Sequence, residues 1–146
     1  MTASVNFPQV NARGVVQINY EVLTANAFHN AHTPGALVAP FGDNIQLWDI
    51  VTDQLGFTGT TELTLEYDEL LLHLGFDEAD LGLWHFDAGA DQWHLLPVLA
   101  QDPLNNTITV AADTFSPFAL GAAIPVPAAG GPVLLLLARI YSTCSV

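Results

Sequence analysis

The chain has 146 residues, of which 51% are hydrophobic and only 12% are charged. Fifteen acidic side chains stand against two basic ones, which gives a formal net charge of −13. A chain with this apolar content can bury a core without disulfides or metals, and its composition is not that of a disordered protein. Binding to nucleic acid or to anionic lipid needs Lys and Arg, so we expect neither kind of partner.

Period-two alternation of apolar and polar residues is the main signal along the chain. Residues 16–22 and 63–67 alternate most regularly, and residues 45–50 and 107–111 alternate over shorter lengths. Residues 5–7 predict a short edge strand that ends at Pro8, because proline has no N–H to donate to a ladder. Each of these segments predicts a strand with one buried face.

Turn residues separate the alternating segments. Residues 81–96 predict a hairpin, and residues 102–106 predict a further turn. Asp68 is placed to cap a single helical turn that ends at Gly75, and residues 24–42, rich in Ala, His, Pro and Gly, predict a long loop. The sequence therefore predicts an all-β fold, an antiparallel two-sheet β-sandwich of about seven or eight strands, over residues 1–121.

The composition changes after Gly121. Residues 122–132 form a linker rich in Pro, Gly and Ala, and residues 133–138 are wholly apolar. That apolar run is shorter than the roughly 20 residues that a helix needs to cross a bilayer. We therefore divide the chain into a sandwich domain, residues 1–121, and a linker with a short apolar tail, residues 122–146.

The two termini carry little further information. Residues 1–10 lack the basic start and apolar run of a signal peptide. We therefore expect either that the protein is not secreted by the signal-peptide route or that its leader has been removed. The single cysteine, Cys144, allows no disulfide within the chain.

Residues 60–120 carry a characteristic order of motifs. A strand ending in Tyr67 and Asp68 precedes a hairpin with Trp84 and Trp93, and a last strand begins with Phe-Ser-Pro-Phe at residues 115–118. This order resembles a β-sandwich module found near the C-termini of large bacterial cell-surface and secreted proteins. The resemblance implies a structural or spacer unit that carries no shared catalytic residues.

The tail resembles a second known pattern. Val126, Pro127, the following apolar run and Arg139 are similar to a PEP-CTERM-like sorting signal, the kind that exosortases process. The family pattern has a membrane-spanning helix and a basic cluster, whereas here the apolar run is short and only Arg139 stands in place of the cluster. The resemblance implies cleavage near the prolines at 125–127. The alternative is a linker followed by a last strand that packs on the sandwich or on a neighbouring subunit.

Acidic residues at predicted turns are weak candidates for calcium, which takes six to eight oxygen ligands. They lack EF-hand spacing, so turn formation without a metal is the favoured interpretation. The five histidines show no HxH or HExxH pattern, and we expect no transition-metal site and no other cofactor. The weak calcium candidates are Asp77, Glu78, Asp80, Asp87 and Asp91.

Three tryptophans, Trp48, Trp84 and Trp93, support a second ligand hypothesis. On an exposed sheet face, they would stack on sugar rings, as the aromatic residues of carbohydrate-binding sandwiches do. The alternative is that their rings fill the core or cover the hairpin.

Catalysis is not predicted. Ser116, a histidine and an aspartate are the residue types of a Ser-His-Asp triad. However, Ser116 lies in an apparent strand before Pro117 rather than in a Gly-x-Ser-x-Gly turn. We expect a non-catalytic structural module of a bacterial surface or matrix protein, located outside the cell. One alternative is a self-assembling filament subunit in which residues 2–22 or the apolar tail complete a neighbour's sheet, and another is a carbohydrate-binding sandwich. Contact with a membrane is expected only through a processed tail.

Overall fold

The structure is a computed structural model that describes residues 1–31, 44–72 and 77–123. These ranges contain eleven strands, one α-helix and two short 3₁₀ helices, Glu69–Leu71 and Glu78–Asp80. The predicted all-β sandwich is confirmed, although the predicted number of strands is too low. The elements are β1 (Ala3–Asn6), β2 (Gln9–Ala12), β3 (Val15–Thr24), α1 (Ala25–Ala31), β4 (Asn44–Asp53), β5 (Gly56–Thr58), β6 (Thr61–Glu66), β7 (Leu81–Asp87), β8 (Gln92–Leu95), β9 (Val98–Asp102), β10 (Thr107–Ala112) and β11 (Pro117–Ala122).

Two antiparallel sheets form the body of the molecule. One has five strands in the order β3-β4-β11-β7-β8, and the other has four strands in the order β1-β6-β10-β9. Strands β2 and β5 pair separately as a small ribbon. The strand count exceeds the prediction partly because of this ribbon. A second reason for the higher strand count is that the chain passes from the five-stranded to the four-stranded sheet between β8 and β9, at Leu96 and Pro97.

The main core lies between the two sheets. Strand β6 shows the alternation that the sequence predicts, since Leu63 and Leu65 are fully buried while Glu62 is exposed. Apolar side chains from the facing strands complete the layer, and their burial supplies the main stabilisation of the fold. Its buried members are Trp48, Ile50, Leu63, Leu65, Tyr67, Leu81, Leu83, Ile108, Val110, Ala112, Phe118 and Leu120.

A second apolar cluster lies on the other face of the five-stranded sheet. Phe28 of α1 is fully buried there against Trp93, with ring centroids 5.3 Å apart. The hydroxyl of Thr24 accepts the N–H of Ala27 at 3.2 Å and so caps the start of the helix. The predicted loop is therefore wrong for Ala25–Ala31, and residues 32–43 lie outside the described part of the chain. The buried members of this cluster are Phe28, Ile45, Leu47, Trp84, Trp93 and Ala119.

One end of the sandwich, here called the Tyr67 end, holds both limits of the described domain. The N–H of Glu66 donates to Thr2 O at 3.0 Å, and the N–H of Ala123 donates to Asp80 O at 2.7 Å. The hydroxyl of Tyr67 joins these two places by donating to the Glu78 carboxylate. The chain therefore enters and leaves the domain at the same end.

The opposite end, here called the Phe end, is closed by three half-buried rings. The ring centroids of Phe7, Phe57 and Phe115 lie 5.1 to 5.9 Å from one another. These rings come from the connection after β1, from β5 and from the connection before β11, so they tie the small β2–β5 ribbon to the sandwich. Aromatic pairs at these distances stabilise by contact without fixing hydrogen-bond partners.

The remaining predicted elements are largely confirmed. Strands β7 and β8 form the predicted hairpin, with Phe86 facing Trp93 and Trp84 facing Leu95. Asp68 caps the 3₁₀ helix Glu69–Leu71 by accepting from the N–H of Leu70 at 3.0 Å. Gly75 and the linker and tail beyond residue 123 lie outside the described residues. Within the described ranges, no helix is long and apolar enough to span a bilayer.

Candidate functional site

The three candidate tryptophans are all buried. Trp48 is 1% exposed in the core between the sheets, and Trp84 and Trp93 are each 3% exposed in the outer cluster. The Trp84 indole N–H donates to the carbonyl of Ala122 at 3.3 Å. The structure therefore places these rings as packing elements on opposite faces of one sheet, and none of the three presents a ring face to solvent.

The five calcium candidates lie at the two ends of one strand. Asp77, Glu78 and Asp80 precede β7, whereas Asp87 ends that strand and Asp91 follows it. Seven residues in a strand span about 20 Å, so the two groups do not share a site. Within the described ranges, no group of three or more His, Cys, Asp or Glu side chains is arranged to hold a metal ion.

Several of these acids bind the backbone of their own turns. Asp77 accepts the N–H of Ala79 at 3.0 Å, and Asp87 Oδ1 accepts those of Gly89 and Ala90 at 2.8 and 3.1 Å. The hydrogen bonds from Ala90 and Gly89 hold the pKa of Asp87 below its usual range. These contacts agree with the interpretation of the acids as turn-forming residues.

Ser116 and His85 form a hydroxyl–imidazole pair that the sequence did not place. Ser116 Oγ lies 2.8 Å from His85 Nε2, and the His85 ring packs against Phe118 with centroids 4.5 Å apart. Burial lowers the pKa of His85, and the nearby Asp87 carboxylate opposes that shift. The three residue types of a Ser-His-Asp triad are thus close together on β7 and at the start of β11.

The direction of the hydrogen bonds in this group differs from that in a triad. The Ser116 hydroxyl donates its proton to the carbonyl oxygen of Phe86. Since a hydroxyl has one proton, His85 Nε2 must be the donor towards Ser116 Oγ. A general base needs an unprotonated nitrogen facing the serine hydroxyl, which this arrangement does not provide. The pair therefore serves to fasten β11 to β7.

Two further histidines, His94 and His29, lie in the described ranges. His94 lies directly opposite His85 across the β7–β8 pair. His29 lies in α1 beside Phe28, with ring centroids 5.6 Å apart. His32 and His73 lie outside the described residues.

A cavity of about 220 Å³ opens between the two sheets beside β1 and β3. Its aromatic wall is Tyr20 packed at a tilt against Trp48, with ring centroids 5.3 Å apart. The Tyr20 hydroxyl donates to Gln46 Oε1 at 3.0 Å, and burial, followed by the Asp68 charge, raises the pKa of Tyr20 to about 12. The cavity wall therefore offers apolar contact and a neutral hydroxyl. It is lined by Met1, Thr2, Ala3, Ile18, Tyr20 and Trp48.

Gln46 is a buried polar residue that the sequence analysis missed. It is 2% exposed, its Nε2 donates to Asp68 O at 3.0 Å, and its Oε1 accepts the N–H of Asp68 at 2.7 Å. Together with the bond from Tyr20, these contacts give the oxygen and the nitrogen of the amide partners, two of which are the backbone N–H and carbonyl of Asp68. The signal in the sequence was a glutamine within an otherwise apolar stretch, residues 45–48.

Comparisons with known proteins add no relative. No family model matches the chain, and neither the curated proteins nor the solved structures include a match.

Proposed function

We propose that this chain is a non-catalytic structural module of a bacterial surface or matrix protein, located outside the cell. The observation that carries the proposal is the use made of its polar groups. Asp68, Asp77, Asp87 and Asp102 each accept backbone N–H groups of the turns in which they lie. These four carboxylates therefore hold the turns between strands in place.

The placement of the chain ends supports the same role. The first and last described residues lie at the Tyr67 end, so a connection through the segment after residue 123 would leave the sandwich at that end, opposite the Phe end. A domain held in this way suits display from a surface or matrix to which the segment after residue 123 connects. The resemblance of residues 60–120 to modules of bacterial surface proteins is consistent with that arrangement.

The acidic composition fits an exposed structural role. With fifteen acidic and two basic side chains, the module repels its own kind and anionic polymers at long range. Such a surface keeps a densely displayed protein soluble.

Location is the first test. Antibodies raised against residues 1–123 should label the outer surface or the matrix of intact cells of the encoding bacterium. Label confined to permeabilised cells would contradict an extracellular role. Mass spectrometry of the same surface fraction tests the sorting-signal hypothesis, which requires a C-terminus near Pro125 or Pro127.

The absence of catalysis is tested by the Ser116–His85 pair. In the encoding bacterium, replacing Ser116 with Ala should leave the amount of surface protein and the surface phenotype unchanged wherever the variant folds. Gly14→Ala is the control for a variant that folds poorly, because a Cβ at position 14 would lie 2.1 Å from Leu55 N and so disturb the backbone there. A phenotype that is lost in Ser116→Ala while surface levels stay normal would overturn the non-catalytic role.

A further inference from the structure

Strand β3 is a long edge strand without the usual protection against pairing. Within the described part of the chain its one neighbour is β4, and ten residue pairs run from Val15↔Asp53 to Thr24↔Asn44 without a register shift. Natural edge strands are commonly interrupted by Lys, Pro or a bulge, which discourage another chain from adding to the sheet. β3 contains no Lys, Arg or Pro, and Glu21 is its single charged residue.

The sequence of β3 is self-complementary about Asn19. When a second β3 runs antiparallel with Asn19 opposite Asn19, facing side chains lie on the same face of the joined sheet. Apolar residues then face apolar ones, and the glutamine amide faces a carboxylate. The facing pairs are Val15 with Leu23, Val16 with Val22, Gln17 with Glu21, and Ile18 with Tyr20.

Neighbouring registers lose this match. Moving the centre of the pairing from Asn19 to Tyr20 places Gln17 opposite Leu23. Moving it to Ile18 places Val15 opposite Glu21. In the symmetric register, the Gln17 amide can bind the carboxylate of Glu21 from the second copy. Gln17 Nε2 already donates to Asn19 Oδ1 at 3.2 Å, which holds both amides on the same exposed face.

Charge also favours this edge. Two copies of a chain with a net charge of −13 repel each other, so a contact between them needs a surface poor in acids. In the symmetric register, the two Glu21 residues lie about 14 Å apart, from four residues of strand rise and one strand spacing. This exceeds the screening length of about 8 Å at physiological salt, so their repulsion is weak.

We propose that a second copy of this chain docks on β3 in an antiparallel, two-fold arrangement centred on Asn19. The two five-stranded sheets then become one continuous sheet, and a ladder of this length supplies roughly one backbone hydrogen bond per residue. The inference rests on the proposed structural function and names its partner. The interface is isologous, so it closes as a dimer and does not by itself form a filament.

A charge exchange in the full chain tests the facing pair of Gln17 and Glu21. Gln17→Glu places two carboxylates opposite each other at two symmetric positions. The dimer dissociation constant, measured by analytical ultracentrifugation, should rise on the order of tenfold. Adding Glu21→Lys to that variant restores opposite charges and should return the constant to near the wild-type value. Thr60→Glu, an exposed site outside β3, adds the same charge and should change the constant much less.

A cysteine at the two-fold axis tests the register directly. In a Cys144→Ser background, Asn19→Cys should form a disulfide-linked dimer under mild oxidation, because facing Cα atoms of an antiparallel pair lie about 4.5 to 5.5 Å apart, within the range that a disulfide bridges. Val51→Cys is the control, since Val51 is also exposed but lies on β4, one strand inward. A wild-type chain that stays monomeric at every accessible concentration, or a double variant that fails to restore the dimer, would overturn the interface. Either result leaves the surface-labelling test of the structural role unaffected.

Discussion

The two ends of the sandwich are closed by different kinds of interaction. At the Tyr67 end, the buried amide of Gln46 binds the backbone N–H and the carbonyl of one residue, Asp68, and Tyr67 donates to Glu78. At the Phe end, three rings meet at centroid distances of 5.1 to 5.9 Å. Hydrogen bonds to a buried amide allow one arrangement, whereas rings tolerate several. The end where the chain enters and leaves is therefore the more specifically fixed of the two.

The largest effect is expected from Gln46→Leu. This change keeps the volume but leaves the N–H of Asp68 and the hydroxyl of Tyr20 without their partner, and it removes one of the two hydrogen bonds to the Asp68 carbonyl, the other coming from the N–H of Leu71. The free energy of unfolding should fall by about 3 kcal/mol, as measured by urea denaturation. Tyr20→Phe removes one of these bonds and should cost about 1 kcal/mol. Equal costs for the two variants would show that the amide does not hold this end.

A smaller effect is expected from Phe115→Ala at the Phe end. The ring is half-buried, so its loss should lower the free energy of unfolding by about 2 kcal/mol, less than for a fully buried phenylalanine. Phe115→Leu keeps apolar contact with Phe7 and Phe57 and should recover about half of that cost. If Leu were as destabilising as Ala in urea denaturation, the end would depend on ring geometry rather than on apolar contact.

Tyr67→Phe is expected to cost about 1 kcal/mol, because it removes the hydrogen bond to Glu78 and leaves the ring in the core. Burial and that hydrogen bond raise the pKa of Tyr67 above its ordinary value of 10.0. Stability contributed by the neutral phenol should therefore be lost as the pH rises above 10. Thermal unfolding between pH 9 and pH 11 should show a shallower loss in Tyr67→Phe than in the wild type.

The smallest effect is expected from the titration of His85. Its folded-state pKa lies below the ordinary value of 6.5, so the unfolded chain binds the proton more tightly. Stability should be intact above pH 6.5 and fall as the pH drops below it. His85→Gln should flatten this slope in melting temperatures taken between pH 7.5 and pH 5. A wild-type slope that survives the substitution unchanged would assign it to another group.

Strands with one buried face were predictable from the sequence. β3 alternates exposed and half-buried residues from Val15 to Glu21, and β6 alternates buried residues with less buried ones, so the period-two pattern is visible in residues 16–22 and 63–67. β4 was harder to interpret, because Ile45, Leu47 and Trp48 are buried on both faces once α1 covers the outer one. The alternation disappears when both faces are apolar. The outer face of β4 is apolar because α1 covers it, and α1 lies in the segment 24–42 that was predicted to be a loop.

The candidate site depended on contacts between distant residues. The sequence placed Trp48, Trp84 and Trp93 on strands, but which face each ring takes depends on pairing register and on what covers the sheet. Asp77 and Asp87 accept N–H groups of their own turns, and such a local contact is one that a short sequence pattern can indicate. Gln46 and Asp68 are 22 positions apart, and Ser116 and His85 are 31 apart, so no local pattern indicated either pair.

The shared location of Thr2 and Ala123 has a practical consequence. A domain whose first and last strands are anchored at one end can be spliced into a surface loop of an unrelated host protein, because the host chain leaves and returns on the same side. Residues 1–123 are thus a natural cassette for loop insertion, and the graft would present the β3 edge and the three-ring end away from the host.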